Sequence, residues 1–243
     1  SYLFSQVFEG ITLLTNLGGA ENIEHKTRLI NNNFEEINIW NHNYVPFSIG
    51  YLSPDSILTI GYKSDFDEGT GPKIVKLDWG GDIIWEISIP VDTLEPHHDI
   101  EPLPNGNILL IGWETKTIDE ATQVGRINVT EDFKPDKILE IQPSGSDNYE
   151  IVWEWKIWDH IIQDINPDLN NYGNISDSPR LVDINLIGIG PGNGDWMHTN
   201  SIAYNESLDQ IILSVRHLCE LWVIDHSTTI EESSGHTGGN AGF

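Results

Sequence analysis

Residues 198–214, His-Thr-Asn-Ser-Ile-Ala-Tyr-Asn-Glu-Ser-Leu-Asp-Gln-Ile-Ile-Leu-Ser, are the stretch that decides the fold. An apolar strand leads into a polar turn and then into a second apolar strand, which is the pattern of a β-hairpin. Two earlier stretches repeat the pattern: residues 47–61, Phe-Ser-Ile-Gly-Tyr-Leu-Ser-Pro-Asp-Ser-Ile-Leu-Thr-Ile-Gly, and residues 98–112, His-Asp-Ile-Glu-Pro-Leu-Pro-Asn-Gly-Asn-Ile-Leu-Leu-Ile-Gly. The sequence therefore predicts three related hairpins.

A second recurring piece accompanies these hairpins, a strand, a short turn and a strand that carries tryptophan. It covers residues 28–40 and 73–85, and its last strand recurs at 152–155. Four strands per unit and hairpins about 50 residues apart are typical of propeller blades, which bury their faces only against one another. We therefore predict an all-β protein with a β-propeller fold.

The repeats also predict the organisation of the chain. We expect one domain over residues 1–243, with blade-like units at about 11–62, 73–113 and 126–217 and the start of a further blade at 220–226, so that three to four blades are present. The longer third unit requires an insertion, and apolar residues at helical spacing predict a short helix near 155–165. The glycine-rich residues 188–194 are predicted to be a plain loop.

Composition excludes several classes of function. Twelve basic residues stand against 38 acidic ones, a formal net charge of −26, and such a surface repels nucleic acids and anionic membranes. No segment approaches the roughly 20 apolar residues of a membrane span. The chain begins without Met or an export signal, so we expect any such signal to be absent from it. Its single cysteine excludes an internal disulfide.

Polar residues at the start of the third hairpin are the first candidates for a site. His198 and Asn200 are two residues apart, so a regular strand would point both to one face, and Arg216 arrives on the neighbouring strand. Arginine beside polar donors suits an oxyanion such as phosphate or sulfate. The same residues also fit a structural interpretation, in which Arg216 pairs with a carboxylate and His198 is a satisfied core histidine.

The second hairpin adds two more histidines. His98 occupies the repeat position of His198, and equivalent blade positions should face the same mouth of a propeller channel. A metal site is the alternative, since His97, His98, Asp99, His198 and His217 all carry ligand groups. Because adjacent His97 and His98 should face opposite sides of a strand, and because no compact His-x-His spacing occurs, we predict no metal.

These segments resemble the bacterial arylsulfotransferases, which use no nucleotide sulfate donor. The matching pieces are residues 96–107 (Pro-His-His-Asp-Ile-Glu-Pro-Leu-Pro-Asn-Gly-Asn), 153–160 (Trp-Glu-Trp-Lys-Ile-Trp-Asp-His), 195–201 (Asp-Trp-Met-His-Thr-Asn-Ser), 214–217 (Ser-Val-Arg-His), 223–227 (Val-Ile-Asp-His-Ser) and 235–239 (Gly-His-Thr-Gly-Gly). They span most of the chain from about residue 71 onward. Residues before 71 match only in general pattern.

The resemblance implies a six-bladed propeller that transfers a sulfuryl group from an aryl sulfate ester to a phenol by a ping-pong route through a sulfohistidine, without a cofactor. By matching position, His198, Arg216 and His98 would be catalytic and Asn200 would bind substrate, with His97 as the alternative to His98. The family's nucleophilic histidine lies on a later blade, and His236 matches a different segment. We therefore expect the nucleophile outside this chain.

The resemblance also implies export to the periplasm or the extracellular space. As partners of the chain we expect the remaining blades of a longer protein or a second copy in a homo-oligomer, because either would cover open strand edges. Two other functions remain open at this point. The chain could be a non-catalytic propeller that binds or scaffolds, which the expected absence of a nucleophile favours, or a metal-dependent propeller hydrolase or lyase.

Overall fold

Antiparallel sheets of three or four consecutive strands make up most of the protein. They are seen in a computed structural model, which describes residues 9–17, 24–63, 72–187, 194–235 and 238–240. The chain forms two compact units, one of Ser1–Ser88 with Gly145–Asn148 and one of Ile89–Ser144 with Tyr149–Phe243. Successive strands that pair with their neighbours are the blade pattern of a propeller, so the structure confirms the predicted all-β, partial propeller-like fold.

The first unit contains two sheets, ordered β1-β2-β3 and β4-β5-β6-β7. Their strands are β1 (Ile11–Thr15), β2 (Lys26–Asn31), β3 (Glu36–Asn41), β4 (Tyr51–Leu52), β5 (Leu58–Tyr62), β6 (Lys73–Leu77) and β7 (Ile83–Ser88). β4 and β5 form the first predicted hairpin. Position 61 in β5 requires glycine, because a Cβ there would overlap Cζ of the Phe47 ring. The core of this unit includes Trp40 and Ile60.

The second unit holds sheets ordered β11-β10-β9-β8 and β14-β15-β16 and the short parallel pair β12-β13. Its elements are β8 (Glu95–Pro102), β9 (Ile108–Trp113), α1 (Ile118–Gln123), β10 (Asp136–Ser144), β11 (Asn148–Lys156), β12 (Ile161–Ile162), β13 (Val182–Asp183), β14 (Thr199–Asn205), β15 (Gln210–Val215), β16 (Glu220–Asp225) and α2 (Ile230–Ser233), with 3-10 helices at Ile157–His160 and Ile175–Asp177. β8-β9 and β14-β15 are the other two predicted hairpins. One core spans both larger sheets and includes Phe133, Trp153 and Trp196.

Tryptophans on outer strands make the same long-range hydrogen bond in each unit. In the first unit, Nε1 of Trp40 on β3 donates to the carbonyl of Asp78, in the β6–β7 turn, at 2.8 Å. In the second, Nε1 of Trp153 on β11 donates to the carbonyl of Thr228, just after β16, at 3.0 Å. Each indole is buried, so these bonds satisfy donors that burial would otherwise leave without water. They join the last strand of one sheet to the next sheet.

Two parts of the predicted organisation differ in the structure. The segment near 155–165 forms only the 3-10 turn Ile157–His160, because Trp155 still belongs to β11 and Ile161 begins β12. Residues 220–225 do not open a new blade; they are the third strand of the β14 sheet and pair with β15 from Gln210↔Asp225 to Val215↔Glu220. The sheets also divide the chain at other points than the predicted units, at 11–41, 51–88, 95–156 and 199–225.

Two predictions made from sequence concern residues beyond this description. The glycine-rich loop falls almost entirely on residues 188–193, and His236 is likewise outside the described residues. Among the helices that the structure does describe, none has both the length and the apolar character needed to cross a membrane.

Candidate functional site

The two histidines at matching repeat positions come together in the second unit. Both have left-handed backbones, with φ of 59° at His98 and 52° at His198. Such a conformation costs a non-glycine residue about 1–3 kcal/mol and occurs in turns as well as at functional sites. The centroids of the two rings are 4.4 Å apart. The structure thus brings the two side chains together. That they face one mouth of a propeller channel stays a prediction.

His97 lies at the same site, beside His98. Their Nδ1 atoms are 2.9 Å apart, so the prediction that the two rings face opposite sides is wrong. The pairing of β8 with β9 shifts register between Pro96 and Ile100, and the left-handed His98 falls within that shift. Strict alternation of side chains holds only in a regular strand.

Side chains from β9 and β10 hold His97 in place. Its ring packs on Trp113 with centroids 4.2 Å apart, and its Nε2 lies 3.4 Å from Oδ1 of Asp136. The other carboxylate oxygen of Asp136 accepts a hydrogen bond from the backbone N–H of Thr199 at 3.0 Å. Asp136 therefore links β10 to the start of β14, directly after His198.

Asp195 positions the two remaining histidines. Its Oδ2 makes a close contact with Nδ1 of His198, and its backbone carbonyl lies 3.0 Å from Nδ1 of His217. The His198 and His217 rings are nearly parallel, with centroids 4.7 Å apart. Because a carbonyl oxygen only accepts, Nδ1 of His217 carries the proton and donates it. A backbone bond from the His217 N–H to the Met197 carbonyl, 3.0 Å long, fixes this residue further.

Several polar atoms of the site are buried and unsatisfied. They have no hydrogen-bond partner among the described residues, although buried polar groups normally have one. They are Nε2 of His97, Nε1 of Trp113, Oδ1 of Asp136, Oδ1 of Asp195, Oγ1 of Thr199 and Nε2 of His217. Unsatisfied groups gathered in one place are typical of a ligand site rather than of a packed core.

The other two predicted residues lie at the edge of this cluster. Arg216 is exposed, in the tight turn that follows β15, and it directly precedes the buried His217. Asn200 is also exposed and occupies a register shift between Thr199 and Ser201. The expectation that His198 and Asn200 share a face assumed a regular strand, whereas the structure has a left-handed residue followed by a bulge. The alternation of side chains therefore does not place Asn200 in the site.

The charges around the site are mixed. Burial, followed by the neighbouring His97 and His198, lowers the pKa of His98 to about 4, so its ring is neutral at neutral pH. A further cation is present, since Nζ of Lys134 lies 4.9 Å from the centre of the Trp113 ring and 2.8 Å from Oε2 of Glu95. Lys134 and the carboxylates of Asp136 and Asp195 therefore all lie near the clustered rings, while Arg216 lies in the adjacent turn.

Sequence reasoning missed part of this site. Asp136, Trp113 and Lys134 lie far from the histidine motifs along the chain, and none of them is in a recognisable motif. A signal for Asp195 was present, because it stands three residues before His198 within the Asp-Trp-Met-His segment. His217 was considered only as a metal ligand. One possible ligand atom each from Asp195, His198 and His217 lies within 4.8 Å of the others.

A cavity lies elsewhere in the same unit. It has a volume of about 680 Å³ and is lined by Trp155, Arg180 and Leu221, among others, along β16. None of the clustered histidines lines it. The histidine cluster is the candidate functional site, because it holds the converging titratable groups and the unsatisfied polar atoms.

Comparison with known proteins bears on the same residues. The family model for arylsulfotransferase (ASST) matches residues 52–231, a range that includes every residue of the cluster. The arylsulfate sulfotransferase AssT of Escherichia coli O6:H1 (strain CFT073) is 29% identical over 169 residues, which are 64% of this chain and 27% of that protein. The chain thus spans about a quarter of the length of this relative.

Proposed function

Because the chain belongs to the arylsulfotransferase family, we propose that it transfers a sulfuryl group from an aryl sulfate ester to a phenolic acceptor. The observation that carries the proposal is the convergence of His98 and His198, whose rings meet at 4.4 Å beside the turn that carries Arg216. A sulfuryl group presents three oxygens, and this arrangement offers it several donors at once. No nucleotide or metal enters this scheme.

The chemistry explains why such donors are needed. Sulfuryl transfer, like phosphoryl transfer, should pass through a loose transition state with negative charge on the peripheral oxygens, so positioned donors supply most of the catalysis. Arg216 provides a fixed positive charge, and Asn200 and the histidines provide N–H groups. The net charge of −26 opposes an anionic substrate at long range, but salt screens that repulsion beyond about 8 Å. The local cations then decide binding.

The route is ping-pong. An imidazole nitrogen attacks the sulfur, and the bond between the sulfur and the aryl oxygen breaks, so that the donor leaves as a phenolate. The acceptor phenol then attacks the sulfohistidine, loses its proton to a base and leaves as the new aryl sulfate. By family resemblance the nucleophile is a histidine of a later blade, so His98, His198, Asn200 and Arg216 bind the sulfuryl oxygens, with His97 held beside His98.

The setting of the reaction is proposed on the same basis. We place the protein in the periplasm or outside the cell. A transferase that needs no nucleotide sulfate donor can act there on phenolic compounds and their sulfate esters. Its macromolecular partners are the remaining blades of a longer polypeptide or a second copy of the chain. Either one would cover the exposed apolar side chains Leu221 and Val223 on β16.

Because the nucleophile is assigned to a later blade, turnover is measured on the full-length protein that carries the remaining blades. The test is an assay with para-nitrophenyl sulfate as donor and phenol as acceptor, followed through the released para-nitrophenolate. Arg216→Ala should lower kcat/KM by about 10²–10³-fold, or roughly 3–4 kcal/mol, the scale of losing an oxyanion donor. Arg180→Ala, which removes another exposed arginine, should have no effect. Near-normal turnover by Arg216→Ala would exclude its assigned role. A folded protein that binds the ester without turning it over would instead be a binding module.

A further inference from the structure

His217 presents an Nε2 atom that has no hydrogen-bond partner among the described residues. Its Nδ1 donates to the Asp195 carbonyl. With Nδ1 engaged by an acceptor, a neutral imidazole keeps its lone pair on Nε2, and this is how metal-binding histidines are usually oriented. Nδ1 of His198 and Oδ2 of Asp195 are in close contact, and a cation can take the place of the hydrogen between them.

The unsatisfied atoms at this place are mostly electron-pair donors. Nε2 of His217, which is 3% exposed, and Oδ1 of Asp195 have no hydrogen-bond partner among the described residues. On the neighbouring side, Oδ1 of Asp136, in a residue that is 2% exposed, makes no hydrogen bond among the described residues and lies 3.4 Å from Nε2 of His97. Lone pairs and carboxylates in a chain of net charge −26 create a negative potential, which favours a cation at this point.

We propose that Asp195, His198 and His217 form a binding site for a divalent d-block cation of the Zn²⁺ type. One possible ligand atom of each residue lies within 4.8 Å of the others. In a tetrahedral zinc site with bonds of about 2.1 Å the ligand atoms lie roughly 3.4 Å apart, so modest side-chain rotation closes the site. Two imidazoles and one carboxylate suit such a cation and leave a fourth position open.

The structure removes the sequence-based reason for excluding a metal. That reason was the expectation that His97 and His98 face opposite sides of a strand, yet their Nδ1 atoms are 2.9 Å apart. The absence of a compact His-x-His spacing does not exclude a metal site either. The three ligands converge through β14 and the turn after β15, where backbone bonds hold His217 against Met197.

Metal binding would regulate the proposed reaction, and this part of the inference rests on the proposed function. A cation bound between Asp195 and His198 removes the His198 imidazole from contact with the sulfuryl oxygens. Zn²⁺ should therefore inhibit sulfuryl transfer in competition with the aryl sulfate, and a chelator should restore it. Binding of the metal itself does not depend on which reaction the protein catalyses.

The test is titration calorimetry of the chelator-treated protein with Zn²⁺. We expect one equivalent to bind with a dissociation constant in the micromolar range or below. Asp195→Asn and His198→Gln should each weaken binding by about 10–100-fold or more, because each removes a ligand and disturbs the orientation of the other rings. His25→Gln is the matched control, since it removes a histidine of the first unit. Mg²⁺, which prefers oxygen ligands, should not bind there.

Two results would overturn the proposal: no saturable binding by the wild-type protein, or equal affinity in wild type, Asp195→Asn and His198→Gln. Both positions are partly exposed, and circular dichroism checks that the variants are folded. Parallel turnover of para-nitrophenyl sulfate separates this inference from the proposed function. Zn²⁺ binding without turnover supports the metal site and opposes the transferase, whereas turnover without Zn²⁺ binding does the reverse.

Discussion

A buried histidine in the first unit differs sharply from one in the second. Both nitrogens of His42 are engaged, with Nε2 2.8 Å from Oγ1 of Thr27 and Nδ1 2.8 Å from the hydroxyl of Tyr62. His217 is also buried, but among the described residues only its Nδ1, and not its Nε2, has a hydrogen-bond partner, the Asp195 carbonyl. Burial alone therefore does not identify a functional histidine. The difference lies in whether the second nitrogen is left available.

The two environments also differ in what they contribute. Burial, followed by the nearby His25, lowers the pKa of His42 to about 4, so it is a neutral hydrogen-bonding bridge that joins β2 and β5. The cluster in the second unit contains left-handed residues and unsatisfied polar atoms, which lower stability. The comparison predicts that changes at His42 alter stability, whereas changes in the cluster alter activity.

The largest expected effect is on turnover. His198→Gln should lower kcat/KM for para-nitrophenyl sulfate by about 10²–10³-fold, because a neutral amide replaces an imidazole held by Asp195. The melting temperature should change little, since His198 is partly exposed and its backbone is strained. Steady-state kinetics and thermal unfolding of the same preparation measure both. Loss of stability without loss of turnover would mean that this histidine resembles His42.

A smaller effect is expected at His42. His42→Leu leaves the hydroxyl groups of Thr27 and Tyr62 without this partner and should lower the free energy of unfolding by about 1–3 kcal/mol. Turnover per folded molecule should stay the same. Tyr62→Phe removes only one of the two hydrogen bonds and should cost less. The comparison between the two units fails if denaturant unfolding shows no destabilisation in His42→Leu.

The smallest expected effect is on stability and concerns His226, a histidine whose two ring nitrogens both contact carboxylates. Its nitrogens lie 2.9 Å from Oε2 of Glu140 and 2.7 Å from Oδ1 of Asp209, and Asp209 also accepts from the hydroxyl of Tyr204. Burial disfavours the imidazolium, but the hydrogen bonds to Glu140 and Asp209 outweigh it and raise the pKa of His226 above 6.5. Burial likewise opposes ionisation of Glu140, yet His226 and Asn107 lower its pKa below 4.5.

These two pKa shifts predict a range of pH in which the contacts between His226 and Glu140 stabilise the fold most. The stability from His226 is complete below pH 6.5 and is lost as pH rises through its raised pKa. The stability from Glu140 is complete above pH 4.5 and is lost as pH falls through its lowered pKa. His226→Gln should therefore cost about 1 kcal/mol between these values and less at alkaline pH. A destabilisation that does not vary with pH would show that the ion pairs contribute little.

The repeat pattern predicted most of the fold. Alternating apolar residues around polar turns gave all three hairpins, because register follows directly from burial of one face. The helix near 155–165 was predicted too long, since Trp155 and Ile161 are also apolar at strand positions and periodicity cannot separate the two cases over so few residues. The third strand of the β14 sheet was assigned to a new blade because the sequence does not show which strands pair.

The site was predictable where it depended on repeats and not where it depended on backbone detail. The meeting of His98 and His198 followed from their equivalent positions. The placement of His97 did not follow from the sequence. The two-residue period of a strand cannot reveal a left-handed residue or a register shift. Asp136 and Trp113 reach the site only through tertiary packing. Family resemblance supplied the proposed roles of Asn200 and Arg216, which no contact described here tests.

The tryptophan hydrogen bonds have a consequence for how the protein folds. Trp40 reaches a carbonyl 38 residues further along the chain, and Trp153 one 75 residues further. Closing loops of that length costs entropy that is recovered only once both sheets exist. These bonds therefore strengthen neighbouring sheets together, so the two sheets that each bond joins within a unit gain cooperativity in unfolding.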